Sequence, residues 1–457
     1  MRTFLLATAV LATLVGLAAC DVAPAVFASQ YLPGNYMAGQ NATLVTGVEY
    51  SYPSYSGFFT VNEQYNSNQF FWFFPAQSGD KDAPVLMWLQ GGPGSSSMFG
   101  LFEEMGPFSV SAENFPELVE REITWVKDYS IFFVDNPVGA GFSFTEDISG
   151  FVTNQEEVGA NLYSVVTQFF QLFPDLADND FYVTGESYAG KYVPSCAYTI
   201  HQRNQDPNNQ FVNLVGISVG DGMMDPITQT QGYATLLYEL GMMDEQEVVN
   251  GRLYENNVEK YILLEEYETA FTYFDQYLND DFYPWPSYYM NVTGLTNYYN
   301  FLTPTYPPNP YQEYLILNET RSAIHVGNYA YQDYNATVEK FLIDDWMRSV
   351  RPQVEVLLDN YKVLIYNGQN DIILAGPLCE NFLRTAQWSG QDAYLSADKI
   401  VWKIESTDTQ VAGYAREVGD FRQVIVRNAG HLLPLDQPER AYDMITRFVN
   451  GISFAEN

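Results

Sequence analysis

Cationic residues are scarce in this chain: 21 Lys and Arg stand against 56 Asp and Glu, a formal net charge of −35 over 457 residues. Such a surface repels phosphate backbones, which argues against nucleic acid as a partner. An acidic medium suits it better, because carboxylates that take up protons relieve the chain's self-repulsion. Cysteine is equally sparse, with only Cys20, Cys196 and Cys379. That is no disulfide framework, and a core of this size does not need one. The sequence leaves open whether Cys196 and Cys379 pair. Metal and nucleotide signatures are missing as well: there is no H-E-x-x-H, no paired C-x-x-C and no Walker lysine. No metal site and no cofactor are expected. Beyond the first residues, no apolar run is long enough to span a bilayer.

The N-terminus has what the rest lacks. Arg2, an apolar run from Phe4 to Leu17 and small residues up to Ala19 read as a secretory signal peptide, residues 1–20. A second reading takes Leu17-Ala18-Ala19-Cys20 as a lipoprotein processing site. N-x-S/T sequons at Asn41, Asn291, Asn318 and Asn335 favour the first. They make the chain a candidate glycoprotein of the secretory pathway, destined for secretion or for a lysosome or vacuole. Three of these sequons share one stretch, which suggests a solvent-exposed face.

Hydrophobic patterning gives an α/β class. The runs YSGFFTV and QFFWFFPA within residues 55–76, parted by Asn66, Ser67 and Asn68, predict a hairpin. Continuous apolar runs at 83–89, 130–134 and 212–219 are of the type buried on both faces. Between the second and third of these, Thr153 and Glu156 suggest a capping box. Val158, Leu162, Val165, Val166 and Phe169 then follow at helical spacing until Pro174. Strands alternating with helices imply a mostly parallel sheet with helices on both faces. After Asp221-Gly222-Met223-Met224-Asp225-Pro226 the chain turns rich in Tyr, Asn, Asp and Pro and loses that rhythm. Residues 226–345 are therefore expected to be an inserted cap, with the core made of 21–225 and 346–457. Tyr361–Tyr366 and Arg422–Val426 predict the last two strands, and a helix from about Pro438 to Val449 closes the chain.

The stretch Phe181 to Gly190, FYVTGESYAG, is a β-prone run that meets Gly185, Ser187 and Ala189 and then a helical pattern. A sharp strand–turn–helix around a serine is a nucleophile elbow, in which the flanking residues must be small and the hydroxyl stands above the sheet. The loop Gln90-Gly91-Gly92-Pro93-Gly94-Ser95 ends an apolar strand and fits the second half of an oxyanion hole. A serine nucleophile needs a base, and only three histidines are available. His201 lies about four turns along the helix after the elbow, and His325 lies in the insertion. His431, in Asn428-Ala429-Gly430-His431 after the last strand, sits where α/β sheets gather their chemistry. Asp371, after the YKVLIY strand, supplies the acid in the chain order Ser, Asp, His. A solvated turn aspartate is the plainer reading of Asp371 in isolation.

With QGGPGSSS, FEEMGP, FVDNPVGAGFS, GESYAG, GDGMMDP, YNGQND and NAGHLLP in order, the sequence resembles the serine carboxypeptidases of the α/β-hydrolase class. Its Gln90 resembles the vitellogenic-carboxypeptidase-like branch. The resemblance implies a peptidase that removes C-terminal residues through an acyl-enzyme, with oxyanion donors at Gly92 and Tyr188. It also implies that Gln90, Glu104 and Glu186 receive the substrate's terminal carboxylate. Most relatives carry Cys at the Ser95 position, tied to the cap by a disulfide, so that tie should be absent here. Two carboxyls side by side share protons, and a Glu binds a carboxylate only as a protonated donor, so activity is expected to favour acidic pH. Glu104 as a plain surface acid is the competing view. The rivals are an acyltransferase on the same scaffold and a catalytically silent binding or storage relative. Phe99 and Glu103 are expected to help shape specificity.

Overall fold

The computed structural model describes residues 22–279, 281–282 and 286–456. The signal peptide and Cys20 lie outside them. One ten-stranded sheet organises the chain. Its strands are β1 (Tyr55–Asn62), β2 (Ser67–Phe74), β3 (Val85–Leu89), β4 (Ser130–Val134) and β5 (Phe181–Glu186). They continue as β6 (Leu214–Gly220), β7 (Lys362–Gly368), β8 (Ile400–Trp402), β9 (Gly413–Val418) and β10 (Phe421–Val426). The spatial order is β1-β2-β4-β3-β5-β6-β7-β10-β9-β8. From β4 to β10 every neighbouring pair is parallel, while β1 and β2 on one edge and β9 and β8 on the other run antiparallel.

The apolar strand runs follow from burial on both faces. In β3, Val85, Met87 and Leu89 enter one core while Leu86 and Trp88 enter the other. Period-two alternation divides a continuous apolar run between two layers of helices. One layer holds α1 (Gln155–Leu172) and α2 (Ala189–Arg203). Val158, Leu162, Val165, Val166 and Phe169 of α1 are buried as their spacing predicts. The cap sits one residue later than expected: Asn154 accepts the Glu157 N–H (3.0 Å), and Glu157 returns to the Thr153 N–H (2.8 Å). Asn there satisfies an orphan helix donor as well as Thr would.

Four more helices follow: α3 (Glu245–Leu263), α4 (Ala336–Trp346), α5 (Arg351–Asn360) and α6 (Gly376–Thr385). The closing helix α7 (Pro438–Asn450) buries Ala441, Met444, Ile445, Phe448 and Val449 against the opposite face. Each of these side chains except the smaller Ala441 contributes about 1.5–3 kcal/mol on leaving water. Strands β8 and β9 were not expected. β8 has only three residues, and β9 (GYAREV) carries Arg416 and Glu417 side by side, which hides its period.

Between β6 and β7 the described residues form helices and loops with no strand of the main sheet. Part of this stretch wraps the sheet's far edge instead of standing over its active end: Ser56 Oγ donates to Ile324 O (2.8 Å), and Val26 N–H donates to His325 O (3.0 Å). Another part holds the Gly92 loop. Ser95 bridges Tyr334, Ser96 N–H donates to Asp333 O (2.8 Å) and Asn335 N–H donates to Gly94 O (3.1 Å). Both Cys196 and Cys379 are buried and unpaired. Where the resemblance implies a missing sulfur tie, a short backbone ladder stands.

Helix α2 approaches the loop after β6 so closely that a Cβ on Gly190 would lie 2.6 Å from Met223 N and 2.7 Å from Gly222 C. Both obstacles are backbone and cannot swing aside. Gly190→Ala is expected to destabilise the protein by about 2–3 kcal/mol, read as a lowered urea midpoint. A midpoint equal to wild type would show that the contact is loose.

Candidate active site

Ser187 sits between β5 and α2 with φ +64°, in the left-handed region that a non-glycine residue enters only under constraint. Its backbone is clamped. The Ser187 N–H donates to Gly220 O (2.9 Å), and its carbonyl accepts from Gly190 N–H (2.9 Å) and Met223 N–H (3.1 Å). A Cβ on Gly185 would meet the Ala189 Cβ at 2.9 Å. Ala therefore fits at 189 because its partner across the turn is glycine.

His431 follows β10, and Asp371 follows β7. His431 Nδ1 lies 2.9 Å from Asp371 Oδ2, and both side chains are buried. The His431 N–H donates to Tyr299 O (2.6 Å), and the Tyr299 ring stacks on the imidazole at 5.0 Å. Burial by itself lowers the imidazole pKa, but the Asp371 and Glu186 carboxylates outweigh it and hold it above 6.5. His431 Nε2 is buried without a partner among the described residues, and His431 and Ser187 both line a cleft of about 340 Å³. Asp371 Oδ1 accepts the Leu374 N–H (3.3 Å).

The glycine loop closes against the elbow. A Cβ on Gly91 would lie 2.5 Å from Tyr188 N, so the amides of Gly92 and Tyr188 come to the same wall. Neither N–H donates to another described residue. Next to them, Gln90 Nε2 donates to Glu186 Oε1 (2.7 Å), and the Trp88 indole donates to Gln90 Oε1 (2.9 Å), fixing which way the amide points. The Glu104 carboxyl lies beside that of Glu186, with no donor to either of its oxygens among the described residues, and sits wholly inside the protein, which excludes its reading as a surface acid. Burial and the Glu186 charge push Glu104 well above the usual carboxylate range, so it is the proton donor of the pair. Burial also raises Glu186 to about 7.

Phe99, Tyr334, Trp346, Ile373 and Leu374 supply the apolar walls, with Asn279, Asp281 and Asp333 from the stretch after β6. Phe99 stands in the cleft as expected, but Glu103 does not; it hydrogen-bonds Asn309. His201 lies away from the site, its Nδ1 2.9 Å from the Tyr361 hydroxyl. Asn41, Asn291 and Asn318 are exposed. Asn335 is a correction: it is buried, its Nδ2 donating to Gly139 O (2.8 Å) and its Oδ1 accepting Thr337 N–H (2.9 Å). A glycan would attach through that same nitrogen, which the folded chain holds inside against Gly139 while the side-chain oxygen caps α4.

Several neighbours went unnoticed in the sequence. Asp345 Oδ2 accepts the Tyr188 hydroxyl (2.6 Å) and the Gln155 amide (2.7 Å), with Lys191 as its buried counter-ion at 3.7 Å. Asp436 accepts the Gly430 N–H (2.6 Å), and Asp221 stands behind Asp371. The motif GDGMMDP carried the only signal for Asp221.

Residues 46–451 match the family model described as "Serine carboxypeptidase". The chain is 50% identical over 401 residues to the human "Probable serine carboxypeptidase CPVL", covering 87% of this chain and 83% of that protein. It is 45% identical to the "Venom serine carboxypeptidase" of Apis mellifera, covering 88% of this chain and 85% of that protein, and 41% identical to the "Vitellogenic carboxypeptidase" of Aedes aegypti, covering 90% and 85%. Among solved structures it is similar to the Kex1 prohormone-processing carboxypeptidase of Saccharomyces cerevisiae, with TM-score 0.72, 22% identity and coverage of 90% of this chain and 96% of that one. That likeness establishes the α/β-hydrolase fold.

The buried acids set a pH dependence of stability. Burial raises Asp135 and Glu186 each to about 7, and Glu104 and Asp221 are raised as well. An unfolded chain releases these protons by about pH 5, so the folded form holds more of them and its stability is lost as pH rises through about 7. The melting temperature is expected to be at least about 5 °C higher at pH 5 than at pH 8. Scanning calorimetry at the two values checks it, and an equal or reversed order contradicts the assignment.

Proposed function

The chain belongs to the serine carboxypeptidase family, and from that premise we propose that Ser187 is its nucleophile, His431 its general acid–base and Asp371 the group that orients the imidazole. The protein is a serine-type peptidase of the α/β-hydrolase fold acting on the C-termini of peptides. One observation carries the assignment: the buried His431–Asp371 pair leaves Nε2 unpartnered on the wall that also bears Ser187.

The chemistry follows from the groups. Ser187 Oγ attacks the carbonyl carbon of the last peptide bond as His431 Nε2 takes its proton. The carbonyl oxygen becomes an oxyanion that the Gly92 and Tyr188 N–H groups are free to bind. His431 returns the proton to the leaving amine, the C–N bond breaks and the acyl group stays on Ser187. Water, deprotonated by the same imidazole, then releases the shortened peptide. Gln90, Glu186 and Glu104 receive the terminal carboxylate beside the nucleophile, which confines cleavage to the last residue. We assign residues 226–345 to the inserted part that forms the outer walls of the cleft. The acidic composition and N-terminal leader support a secretory route to the cell exterior or a lysosome-like compartment.

Protonation links binding to catalysis. Below about pH 7, Glu186 carries a proton, donates to the substrate carboxylate and no longer raises the pKa of His431. As pH rises through that value Glu186 ionises and repels the carboxylate.

Two measurements test these roles. A fluorophosphonate is expected to label wild type and leave Ser187→Ala unlabelled; equal labelling of both removes Ser187. With a free-acid peptide, KM is expected to climb above pH 7 by up to about tenfold per unit. In Glu186→Gln this climb disappears, and a C-terminally amidated peptide does not show it. A climb that persists in Glu186→Gln would assign the titration elsewhere.

A further inference from the structure

Behind Asp371 lies a second buried carboxyl that the chemistry above does not use. Asp221 ends β6 with φ +40°, inaccessible to solvent, its N–H donating to Tyr366 O (2.8 Å). Its Oδ1 accepts from Gly368 N–H (2.9 Å) and from the Asn367 amide (3.4 Å), both at the end of β7 just before Asp371. Its Oδ2 has no donor among the described residues. One oxygen each of Asp221 and Asp371 and one ring nitrogen of His431 lie within 4.8 Å of one another. An ionised carboxylate with a bare oxygen in such a place is costly, and two such groups in contact cannot both be charged. A single proton shared between them resolves both problems.

We propose that Asp221 is a positioning residue: a neutral carboxylic acid whose O–H donates to Asp371 and holds that carboxylate against the imidazole of His431. The proton belongs to Asp221 because Asp371 already receives His431 Nδ1–H (2.9 Å) and Leu374 N–H (3.3 Å), which stabilise its charge. The groups facing Asp221 point the same way. Asp371 from β7 and Glu186 from β5 are the acids acting most strongly on it, Glu186 as an anion only above about pH 7, and Cys379 on α6 and Tyr366 on β7 are neutral neighbours. In this state Asp221 does two things. It fixes the Asp371 rotamer, and it draws electron density from that carboxylate, so the imidazolium is held less tightly than a bare Asp371 would hold it. The base limb of His431 therefore stays low enough for work in an acidic medium. An ionised Asp221 would do the reverse, adding a second negative charge beside the ring.

This inference rests on the triad assigned above, and the experiment separates the two. Asp221→Leu removes the donor at similar volume, and Asp221→Asn keeps a donor that cannot ionise. In Asp221→Leu, kcat is expected to fall about 10- to 100-fold while KM holds within about twofold. The apparent pKa of fluorophosphonate labelling at Ser187 should rise by about one unit in the same variant. Asp221→Asn should restore kcat to within about fivefold of wild type and return the labelling limb to its wild-type position. The proposal is overturned if folded Asp221→Leu matches wild type in kcat and in the limb. It is equally overturned if Asp221→Asn is as impaired as Asp221→Leu with the limb unmoved, which would mark a packing role. Should Asp221→Leu not fold, Asp221→Asn alone decides: a loss above about tenfold in kcat overturns it. Wild type that is not labelled at Ser187 ends the triad reading and this inference together.

Discussion

The left-handed backbone at Ser187 is the constraint on which the rest of the site depends. Such a conformation costs of order 1–3 kcal/mol in a residue with a Cβ. It persists because β5, β6 and α2 all hold it: Gly220 takes its N–H, Gly190 and Met223 claim its carbonyl, and Gly185 and Gly190 let neighbouring backbones come close. Loosening any one of these would let the turn relax and carry the Tyr188 amide away from that of Gly92. The strands are thus more than a scaffold. Their parallel ends converge on one rim, and the tightness of that rim keeps the hydroxyl and the two free amides on one wall.

Around this rim the protein buries acids where a purely structural core would place apolar residues. Glu104 lies beside Glu186 and Asp221 beside Asp371, and burial together with the neighbouring charge raises Glu104 and Asp221 well above the usual carboxylate range. The pairs flank the imidazole, one along the strand that carries Ser187 and one behind the orienting carboxylate. Because neutral and charged forms differ so much in a buried setting, the surrounding solution's acidity is written into the site itself. The same groups make the fold more at home in acid.

Much of this was legible in the sequence, for physical reasons that can be named. Val85 to Leu89 and Ser130 to Val134 announce themselves as doubly buried strands because both their faces are apolar. The order Ser187, Asp371, His431 could be extracted because histidine is rare and the three positions follow strands. The elements that escaped were those whose signal lies in partners far off in the chain. Strand β8 has only three residues, and β9 carries an adjacent Arg and Glu that break its alternation. Tyr299 and Asp345 act through contacts with residues 132 and 157 positions away, as separation along the chain counts them. Asn335 looked like a glycan acceptor because a sequon specifies three residue types and says nothing about burial. Its amide spans to Gly139, nearly two hundred positions earlier.

The ladder that joins Ser95 to Tyr334 and Gly94 to Asn335 is made of peptide groups alone. A reductant therefore has nothing to cleave there, and the two cysteines that remain among the described residues are sealed in the interior with burial pushing their thiols up. The cleft's geometry is accordingly indifferent to the thiol–disulfide balance of its surroundings, and its outer wall is anchored as firmly among reducing thiols as in an oxidising fluid.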